Sequence, residues 1–377
     1  MSRLFVLHER YSPNTASTIR LMGLLKELSA RGISTNVVFF VSDERLSEAP
    51  SLPNIQYEYY WRRWRVRNQK LQVLLFLLVY SFFFSLRVRP GDTVYLDRCD
   101  QLVRLLVYKK GVRVFQERTE HPEVSHFKFI NINRYFNACR KLTGLFVISL
   151  NLKQLYVSKD VDPKIIHIIN MTVDPSRFIN LKKDENVEQY IAYCGSSMIA
   201  KDGLDQLLQA FSLITKEFNN LKLYVIGGVS PKGVSPSIVK LIYTLGISEK
   251  VVFTGIIPSP RMPQLLKNAR LLALARPNNK QAKYGFPTKL GEYLLTGNPV
   301  VITEVGNINM FLVDGESAFF AIPDNPIDFA EKMRFVLRQQ DLSIKVGQRG
   351  REVALTHFNS RHEADKLIGV MFPEGAN

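Results

Sequence analysis

The strongest constraint on the fold is an alternation of short apolar segments with amphipathic helical segments along nearly the whole chain. In the first half, a helical pattern from Thr18 to Ser29 follows the first apolar segment. Gly32 ends this helical pattern, and the next apolar segment begins at residue 34. The strand-like segments of this half are residues 3–8, 34–41, 55–59, 93–96, 112–116, 144–148 and 165–169. Alternation of this kind is typical of a parallel sheet covered by helices on both faces.

The same alternation starts again after a polar, aperiodic segment at residues 170–188. Its strand-like segments are 189–194, 221–227, 250–255, 270–275, 299–303 and 317–322, and helical patterns cover 203–217, 235–245, 261–268 and 287–296. A chain of 377 residues is also longer than one core usually serves. We therefore predict an α/β protein with two Rossmann-like, doubly wound parallel-sheet domains that face a cleft. The expected domains are residues 1–170 and 171–355, and a C-terminal helix within 356–377 is expected to pack back toward the first domain.

Composition and cysteine use are typical of a globular protein from a reducing compartment. Hydrophobic residues make up 46% of the sequence, which argues against disorder as the dominant state. Cys99, Cys139 and Cys194 lie far apart without a C-x-x-C pair, which argues against a disulfide framework or a zinc site. The first residues, MSRLFVLHER, lack the pattern of a secretory signal peptide, so we expect a cytoplasmic protein.

Positive charge is concentrated in the first half of the chain. The whole sequence has a formal net charge of +16, and residues 1–170 hold 26 Lys and Arg against 14 Asp and Glu, a net of +12. Such a field attracts membrane lipid, nucleic acid or phosphorylated substrates, and it also favours solubility alone. No nucleic-acid recognition motif accompanies the charge, so a nucleic-acid partner is not expected.

One segment, LQVLLFLLVYSFFFSL at residues 71–86, is apolar around the whole helical circumference. Basic and aromatic residues precede it, and Arg87 and Arg89 follow it. Three interpretations stay open: a buried core helix, a helix face that dips into one membrane leaflet, and a transmembrane helix near the lower length limit. The second interpretation predicts a peripheral protein on the inner face of the plasma membrane, in contact with anionic lipid.

The most informative motif is YGFPTKLGEYLLTGNPVVIT at residues 284–303. Pro287 suits the first position of a helix, because its fixed φ is helical and no amide is lost. The free amides of Thr288 and Lys289 would then point outward at a positive helix end, where phosphate binds. Glu292 lies on the same helix face, where its carboxylate can accept two hydrogen bonds from a ribose diol. An ordinary capped helix with a surface Lys–Glu pair would give the same pattern.

A second motif, YCGSSMIAKDGLDQLLQAF at residues 193–211, runs from a strand through a short loop into a helix. The small residues Gly195, Ser196 and Ser197 let a pyrophosphate approach the backbone. Lys201 can neutralise the charge that develops on a departing diphosphate. A solvated loop lysine is the other interpretation.

Together these motifs resemble glycosyltransferase family 4, whose members have the GT-B fold, use nucleotide-sugar donors and retain the anomeric configuration. INMTVDPSRF at residues 169–178 resembles the family's N-G-V-D-x-x-x-F interdomain segment. VVFTGIIPSPRMPQLLKNARLLALA at residues 251–275 resembles the strand–loop–helix that flanks the nucleobase. The resemblance covers residues 1–375, strongly after residue 165 and weakly before residue 110.

The resemblance implies roles in donor binding for residues of the second half. Lys201 looks like the family's phosphate-binding lysine, and Glu292 looks like the second acid of a Glu-x7-Glu motif, which holds the ribose. Backbone contacts to the donor sugar and phosphates would come from Gly285, Phe286 and Thr288.

Two departures from the family pattern concern the identity of the donor. Tyr284 stands at the position of the first Glu of the motif, and Ser196 or Ser197 stands where the family usually has an Arg. Neutralisation of the phosphates would then rest on Lys201 and Lys289.

In the first half, VRVFQERTEHPEV at residues 112–124 is a strand that runs into a polar cluster. The family places an acidic residue or a histidine there, beside the acceptor and the reacting sugar. The catalytic candidates are Glu117, Glu120 and His121, and ERTEHP resembles the version found in polysaccharide-assembly members. A solvated loop with an incidental histidine would look the same.

The loop YSPNTASTIR at residues 11–20 takes the place of the family's glycine-rich first turn. Asn14, Thr15 and Ser17 are candidates for binding acceptor hydroxyls or a phosphate at the helix start. Asp160-Val161-Asp162 is the one Asp-x-Asp sequence, but it lies in the half that is not expected to bind the donor. We therefore expect no metal and no cofactor besides the nucleotide-sugar donor.

These features predict a retaining glycosyltransferase of the hexosyltransferase type. It would transfer a sugar from a nucleoside diphosphate-sugar to a hydroxyl of a glycan or lipid-linked acceptor, in bacterial-type cell-surface polysaccharide biosynthesis. The alternatives are a sugar-nucleotide epimerase or hydrolase of the same fold, a catalytically inactive scaffold, and a non-catalytic basic binding protein.

Overall fold

The structure, a computed structural model, describes residues 3–11, 15–41, 49–59, 79–97, 99–124, 131–184, 186–195, 202–227 and 234–373, without the side chains of residues 9, 10, 16, 40, 41 and 59. The chain divides into two compact units. The first comprises Met1–Asn170 and Ser360–Asn377, and the second comprises Met171–Asn359.

Among the described residues, seven parallel strands form the sheet of the first unit, in the order β3-β2-β1-β4-β5-β6-β7. They are β1 (Leu4–Arg10), β2 (Thr35–Val41), β3 (Ile55–Tyr59), β4 (Thr93–Asp97), β5 (Arg113–Arg118), β6 (Gly144–Val147) and β7 (Ile166–Ile168). The helices are α1 (Ala16–Ala30), α2 (Ser81–Arg87), α3 (Asp100–Leu106), α4 (Ile132–Cys139) and α5 (Leu150–Val157). Strand order reverses between β1 and β4, so this unit has a topological switch point there.

Six parallel strands within the described part of the second unit form its sheet, in the order β10-β9-β8-β11-β12-β13. They are β8 (Tyr190–Cys194), β9 (Lys222–Ile226), β10 (Val251–Gly255), β11 (Leu271–Leu274), β12 (Val300–Thr303) and β13 (Phe319–Ala321). The helices are α6 (Leu204–Ser212), α7 (Pro236–Thr244), α8 (Met262–Asn268), α9 (Lys280–Tyr284), α10 (Thr288–Leu295), α11 (Pro326–Arg338) and α12 (Gln340–His357). The switch point of this sheet lies between β8 and β11.

The prediction of two doubly wound α/β units is confirmed by these sheets. Every residue of β4, β11 and β12 is buried, as expected for strands that helices cover on both faces. Short 3₁₀ helices lie at Pro163–Ile165, Pro175–Phe178, Ser248–Lys250, Ser259–Arg261 and Ile308–Met310.

The last helix, α13 (Ser360–Met371), belongs to the first unit. It packs on α1, where an added Cβ at Gly23 would lie 3.3 Å from the Cβ of Ser360. Its buried Glu363 accepts a hydrogen bond of 2.7 Å from the backbone amide of Asn170, the last residue of the unit's first segment. The helix therefore fixes the point at which the chain leaves the first unit.

Three differences from the predicted element boundaries concern candidate site residues or their neighbours. Strand β5 continues through Arg118, so Glu117 lies within a strand rather than in the loop that follows. Helix α6 ends at Ser212, five residues before the predicted end. Pro287 is the N-cap of α10 with φ −72° and ψ 97°, not its first helical residue, because its ψ is extended.

The segment of residues 79–87, at the end of the apolar run, has two different faces. Ser81 and Phe84 are buried, and the Phe84 ring packs edge-on against Phe5 of β1 at 5.6 Å between ring centroids. Phe82, Phe83 and Leu86 on the other face are 54%, 54% and 61% exposed. Over the described residues, no helix has the length and apolar character needed to cross a bilayer. Residues 71–78 lie outside the described residues.

Candidate donor and acceptor sites

In the second unit, the chain segments that follow β8 and β11 meet at the carboxyl edge of the sheet. Adjacent parallel strands at a switch point leave a crevice at this edge, where α/β proteins bind ligands. Gly195 directly follows β8 and is buried. The amide of Cys194, one residue earlier, donates a hydrogen bond of 2.6 Å to the hydroxyl of Tyr293 on α10. This bond fixes α10 to the end of β8.

Lys289 forms an ion pair that the sequence analysis missed. Its Nζ lies 3.0 Å from Oδ2 of Asp202, whose side chain is 7% exposed. Lys289 itself keeps 28% of its side chain exposed. Asp202 therefore holds the ammonium group of Lys289 at the start of α10. The pair also joins the two predicted phosphate-binding motifs, since Asp202 and Lys289 lie 87 residues apart in the sequence.

Glu292, one turn further along α10, also has a partner that the sequence analysis missed. Its carboxylate pairs with the guanidinium of Arg177, which lies in the predicted interdomain segment. Arg177 Nη2 also donates to the backbone oxygen of Ser259 at 3.2 Å. The side chains of Arg177 and Glu292 are 21% and 18% exposed, so the carboxylate is oriented but still reaches solvent. No local pattern could show this pair, because 115 residues separate its members.

The remaining predicted donor residues have mixed environments at the start of α10. Thr288 is exposed as the first helical residue, so its amide is available to a ligand. Phe286 is 7% exposed and packs against Phe311 and Phe358, which leaves only its backbone for donor contact. Gly285 is buried and ends α9. Ser196, Ser197 and Lys201 lie outside the described residues.

Burial controls the ionisation of the groups behind this edge. It raises the pKa of the Cys194 thiol to about 11. It also raises the pKa of Tyr293 well above its ordinary value. Both groups are therefore neutral near pH 7. The described charges of this edge include the two ion pairs at Lys289 and Glu292. They also include the buried Arg276, two residues after β11.

In the first unit, the predicted acceptor residues follow β1, and the predicted catalytic residues lie at the end of β5 or after it. Both strands flank β4. Thr15 is the N-cap of α1, and its hydroxyl accepts a hydrogen bond from the amide of Thr18. Ser17 lies in the first turn of that helix and is half-buried. The sheet therefore brings the start of α1 and the end of β5 to the same edge. Asn14 lies outside the described residues.

Glu117, at the end of β5, is held in a buried network. Its side chain is 6% exposed, and Oε1 accepts a hydrogen bond of 2.5 Å from Nε of Arg20 on α1. Its other oxygen accepts from the hydroxyl of Tyr95. Burial raises the pKa of Tyr95 well above its ordinary value, so this phenol stays a donor. Arg20 also donates to the backbone oxygens of Ile169 and Asn170.

Glu120 and His121 lie in the turn that follows β5. Glu120 is half-buried and His121 is 6% exposed. Nδ1 of His121 accepts a hydrogen bond of 3.2 Å from the backbone amide of Glu123, so Nε2 carries the proton in a neutral ring. The structure therefore sets the tautomer of the predicted catalytic histidine.

A buried pair at the switch point of the first sheet was not predicted. Nδ1 of His8, on β1, lies 2.6 Å from Oδ2 of Asp97 at the end of β4. The His8 side chain is 1% exposed. The strand alternation predicts burial for both strands, but only the pairing of β1 with β4 brings these two residues together.

Asp160 and Asp162, the Asp-x-Asp pair, each have a local partner in the first unit. Asp160 has a positive φ of 59° and pairs with Arg140 at 2.7 Å. Asp162 caps the 3₁₀ turn at Pro163–Ile165 through a hydrogen bond to the amide of Lys164. Both side chains have local structural roles. Among the described residues, no group of three His, Cys, Asp or Glu side chains is arranged to hold a metal.

Comparisons with known proteins agree with the two-unit fold. Residues 176–353 match the family described as Glycosyl transferases group 1. Mannosylfructose-phosphate synthase from Agrobacterium fabrum is 21% identical over 270 residues, which are 68% of this chain and 56% of that protein. The chain thus matches little more than half the length of this curated relative.

Solved structures cover nearly the whole chain. Sucrose-phosphate synthase from Thermosynechococcus elongatus has a TM-score of 0.79 at 15% identity, over 98% of both chains. Anabaena HepE, solved in complex with UDP and glucose, has a TM-score of 0.76 at 13% identity, over 98% of this chain and 99% of that one. At these identities the likeness shows the fold, which is GT-B.

Proposed function

We propose that the chain is a retaining glycosyltransferase, because residues 176–353 match the family described as Glycosyl transferases group 1. The second unit would bind a nucleoside diphosphate-sugar, and the first would bind the acceptor. The observation that carries the proposal is the placement of Lys289 and Glu292. Both lie on the first turns of α10, and each is oriented by a buried or half-buried partner.

The geometry of α10 supports binding of a nucleoside diphosphate. The exposed amide at Thr288 and the positive end of the helix favour the phosphates. Lys289 adds a cation, although Asp202 already offsets part of its charge. Glu292 would accept hydrogen bonds from the ribose diol in place of, or beside, its bond from Arg177. HepE was solved with UDP, which makes UDP the first nucleotide to test.

The proposed reaction is a substitution at the anomeric carbon. The bond from that carbon to the β-phosphate oxygen breaks, and its electron pair leaves with the diphosphate. The acceptor hydroxyl oxygen forms the new bond on the same face, and its proton passes to the departing phosphate. Lys201, Lys289 and the amides of α10 would stabilise the diphosphate without a metal ion. Glu120 and His121 would contact the sugar and acceptor.

The proposed acceptor is a glycan or a lipid-linked intermediate of cell-surface polysaccharide synthesis, handled at the cytoplasmic face of the membrane. The basic first half of the sequence supports this choice, because its net charge of +12 favours anionic surfaces and phosphorylated acceptors.

Titration calorimetry with UDP and UDP-sugars tests the donor site. Glu292→Ala and Lys201→Ala are each expected to weaken nucleotide binding by about tenfold or more, because each removes a hydrogen bond to or from a charged group. Glu249→Ala and Lys240→Ala remove exposed charges of the same unit and serve as matched controls. Full affinity in both site variants would contradict the site assignment. Hydrolysis of the donor without any transfer to acceptor would favour the hydrolase alternative.

Arg177 provides a second test, since it orients Glu292 without a predicted contact to the donor. Arg177→Met keeps much of the side-chain volume but removes the hydrogen bonds to Glu292 and Ser259. We expect nucleotide affinity to fall about three- to tenfold, because the Glu292 carboxylate loses its fixed orientation. Affinity for inorganic pyrophosphate, which lacks the ribose, should stay unchanged. An equal loss for both ligands would place the effect at the phosphates instead.

A further inference from the structure

We propose that the outer faces of α2 and α3, with the turn that follows α3, form a docking surface for an anionic lipid bilayer. The surface is defined by Phe82, Phe83, Leu86, Leu105 and Tyr108, which are all between 42% and 61% exposed. This inference names the residues behind the proposed membrane contact. It rests on the proposed function in one respect, namely that the acceptor is handled at a membrane.

Helix α2 presents large apolar side chains to solvent on the face opposite its core contacts. Its inner face is anchored by Phe84, which is fully buried against Phe5. The three outer residues are two phenylalanines, with ring centroids 5.9 Å apart, and Leu86. Single exposed apolar side chains are common, but three large ones within five residues form a patch that needs a partner.

Lys109 connects the α2 face to the α3 face. Its Nζ donates to the backbone oxygens of Ser85 and Val88, the latter at 2.9 Å, and so holds the end of α3 beside the end of α2. Tyr108, one residue earlier, is 60% exposed. Leu105 is exposed one turn before it. The apolar patch therefore continues from one helix to the next.

Charge complementarity selects an anionic membrane as the occupant. Arg89, Lys110 and Lys141 are exposed around the patch, and Nζ of Lys141 lies 4.7 Å from the centre of the Tyr108 ring. The nearby acids have partners: Glu58 pairs with Arg87, and Asp92 pairs with Arg3. Apolar side chains ringed by cations are what a helix face needs to lie in the headgroup region of anionic lipid.

Flotation of the full chain with vesicles tests the surface. We expect binding to phosphatidylglycerol-containing vesicles and at least tenfold weaker binding to pure phosphatidylcholine. The triple variant Phe82→Ser/Phe83→Ser/Leu86→Ser should lose roughly 30-fold or more in binding, because it removes most of the apolar area available for insertion. These side chains are exposed, so the variant should keep its circular dichroism spectrum and thermal midpoint.

Val239→Ser/Tyr243→Ser is the matched control, because these residues are 54% and 80% exposed on α7 of the other unit. It should bind vesicles as the parent chain does. Wild-type affinity in the triple variant, or equal binding to neutral vesicles, would overturn the proposal. A dimer in solution that the triple variant dissociates would assign the surface to a second copy of the chain. Vesicle binding needs no sugar transfer, so this proposal and the proposed function can fail separately.

Discussion

Gly203→Ala is expected to destabilise the second unit by about 3–5 kcal/mol and to remove nucleotide binding. Gly203 precedes α6 with a φ of +65°, a region that L-residues rarely adopt. An added Cβ would lie 1.8 Å from the backbone oxygen of Ala275, which directly follows β11. Backbone cannot rotate away as a side chain can, so either β11 or the start of α6 must move. Such a movement would displace Asp202 from Lys289.

A matched glycine separates the cost of the positive φ from the cost of the close contact with Ala275. Gly246 has a φ of +64°, almost equal to that of Gly203, but an added Cβ there meets nothing within 4 Å. Gly246→Ala should therefore cost only about 1 kcal/mol from the backbone conformation and leave nucleotide binding unchanged. Urea denaturation and calorimetry with UDP measure both quantities. Equal losses in the two variants would show that the close approach to Ala275 does not matter.

The fold could be predicted from the sequence because strand and helix periodicities are local signals. The alternation at Leu4–Arg10, Thr35–Val41 and the later strands places each element to within a few residues. The position of the donor motifs at the edge of the second sheet also followed, since a strand–loop–helix connection in a parallel sheet places its loop at the carboxyl edge.

The partners of the site residues could not be predicted, because they depend on contacts between distant segments. Lys289 was expected to neutralise donor phosphates, and its pair with Asp202 was not predicted. Asp202 directly follows Lys201 in the motif, so the sequence predicts that it lies near the site. The sequence does not predict its pairing with Lys289. Arg177 is a similar case, since a 3₁₀ turn at residues 175–178 carries it to Glu292.

The same limit applies to the first unit. The pairing of β1 with β4 brings His8 to Asp97, and the packing of α1 brings Arg20 to Glu117. The strand pattern predicts burial for His8, but no local pattern predicts the partner of His8 or of Arg20. The resemblance to the family suggested a chemical role for Glu117, while its two partners show a structural one. Stability and sugar transfer, measured in the same variants, distinguish this structural role from contact with substrate.

Glu117→Ala is expected to destabilise the first unit by about 3–5 kcal/mol, because it leaves the guanidinium of Arg20 without its charged partner in the interior. The side chains of Arg20 and Glu117 are only 14% and 6% exposed. Arg20 also holds the backbone oxygens of Ile169 and Asn170, so the end of this unit's first segment should loosen with it. Hydrogen exchange measured by mass spectrometry should rise in peptides that cover β5 and residues 166–170.

The double variant Arg20→Met/Glu117→Leu separates a structural role from a catalytic one. It leaves neither charge unpaired, so it should recover most of the stability that Glu117→Ala loses. Glu123→Ala, whose side chain is 51% exposed after the same strand, should keep parent stability. If the ion pair is the whole role of Glu117, sugar transfer by the double variant should return together with stability. Normal stability of Glu117→Ala with loss of transfer would instead make Glu117 a residue that contacts the substrate, and the pair with Arg20 would then serve to orient it.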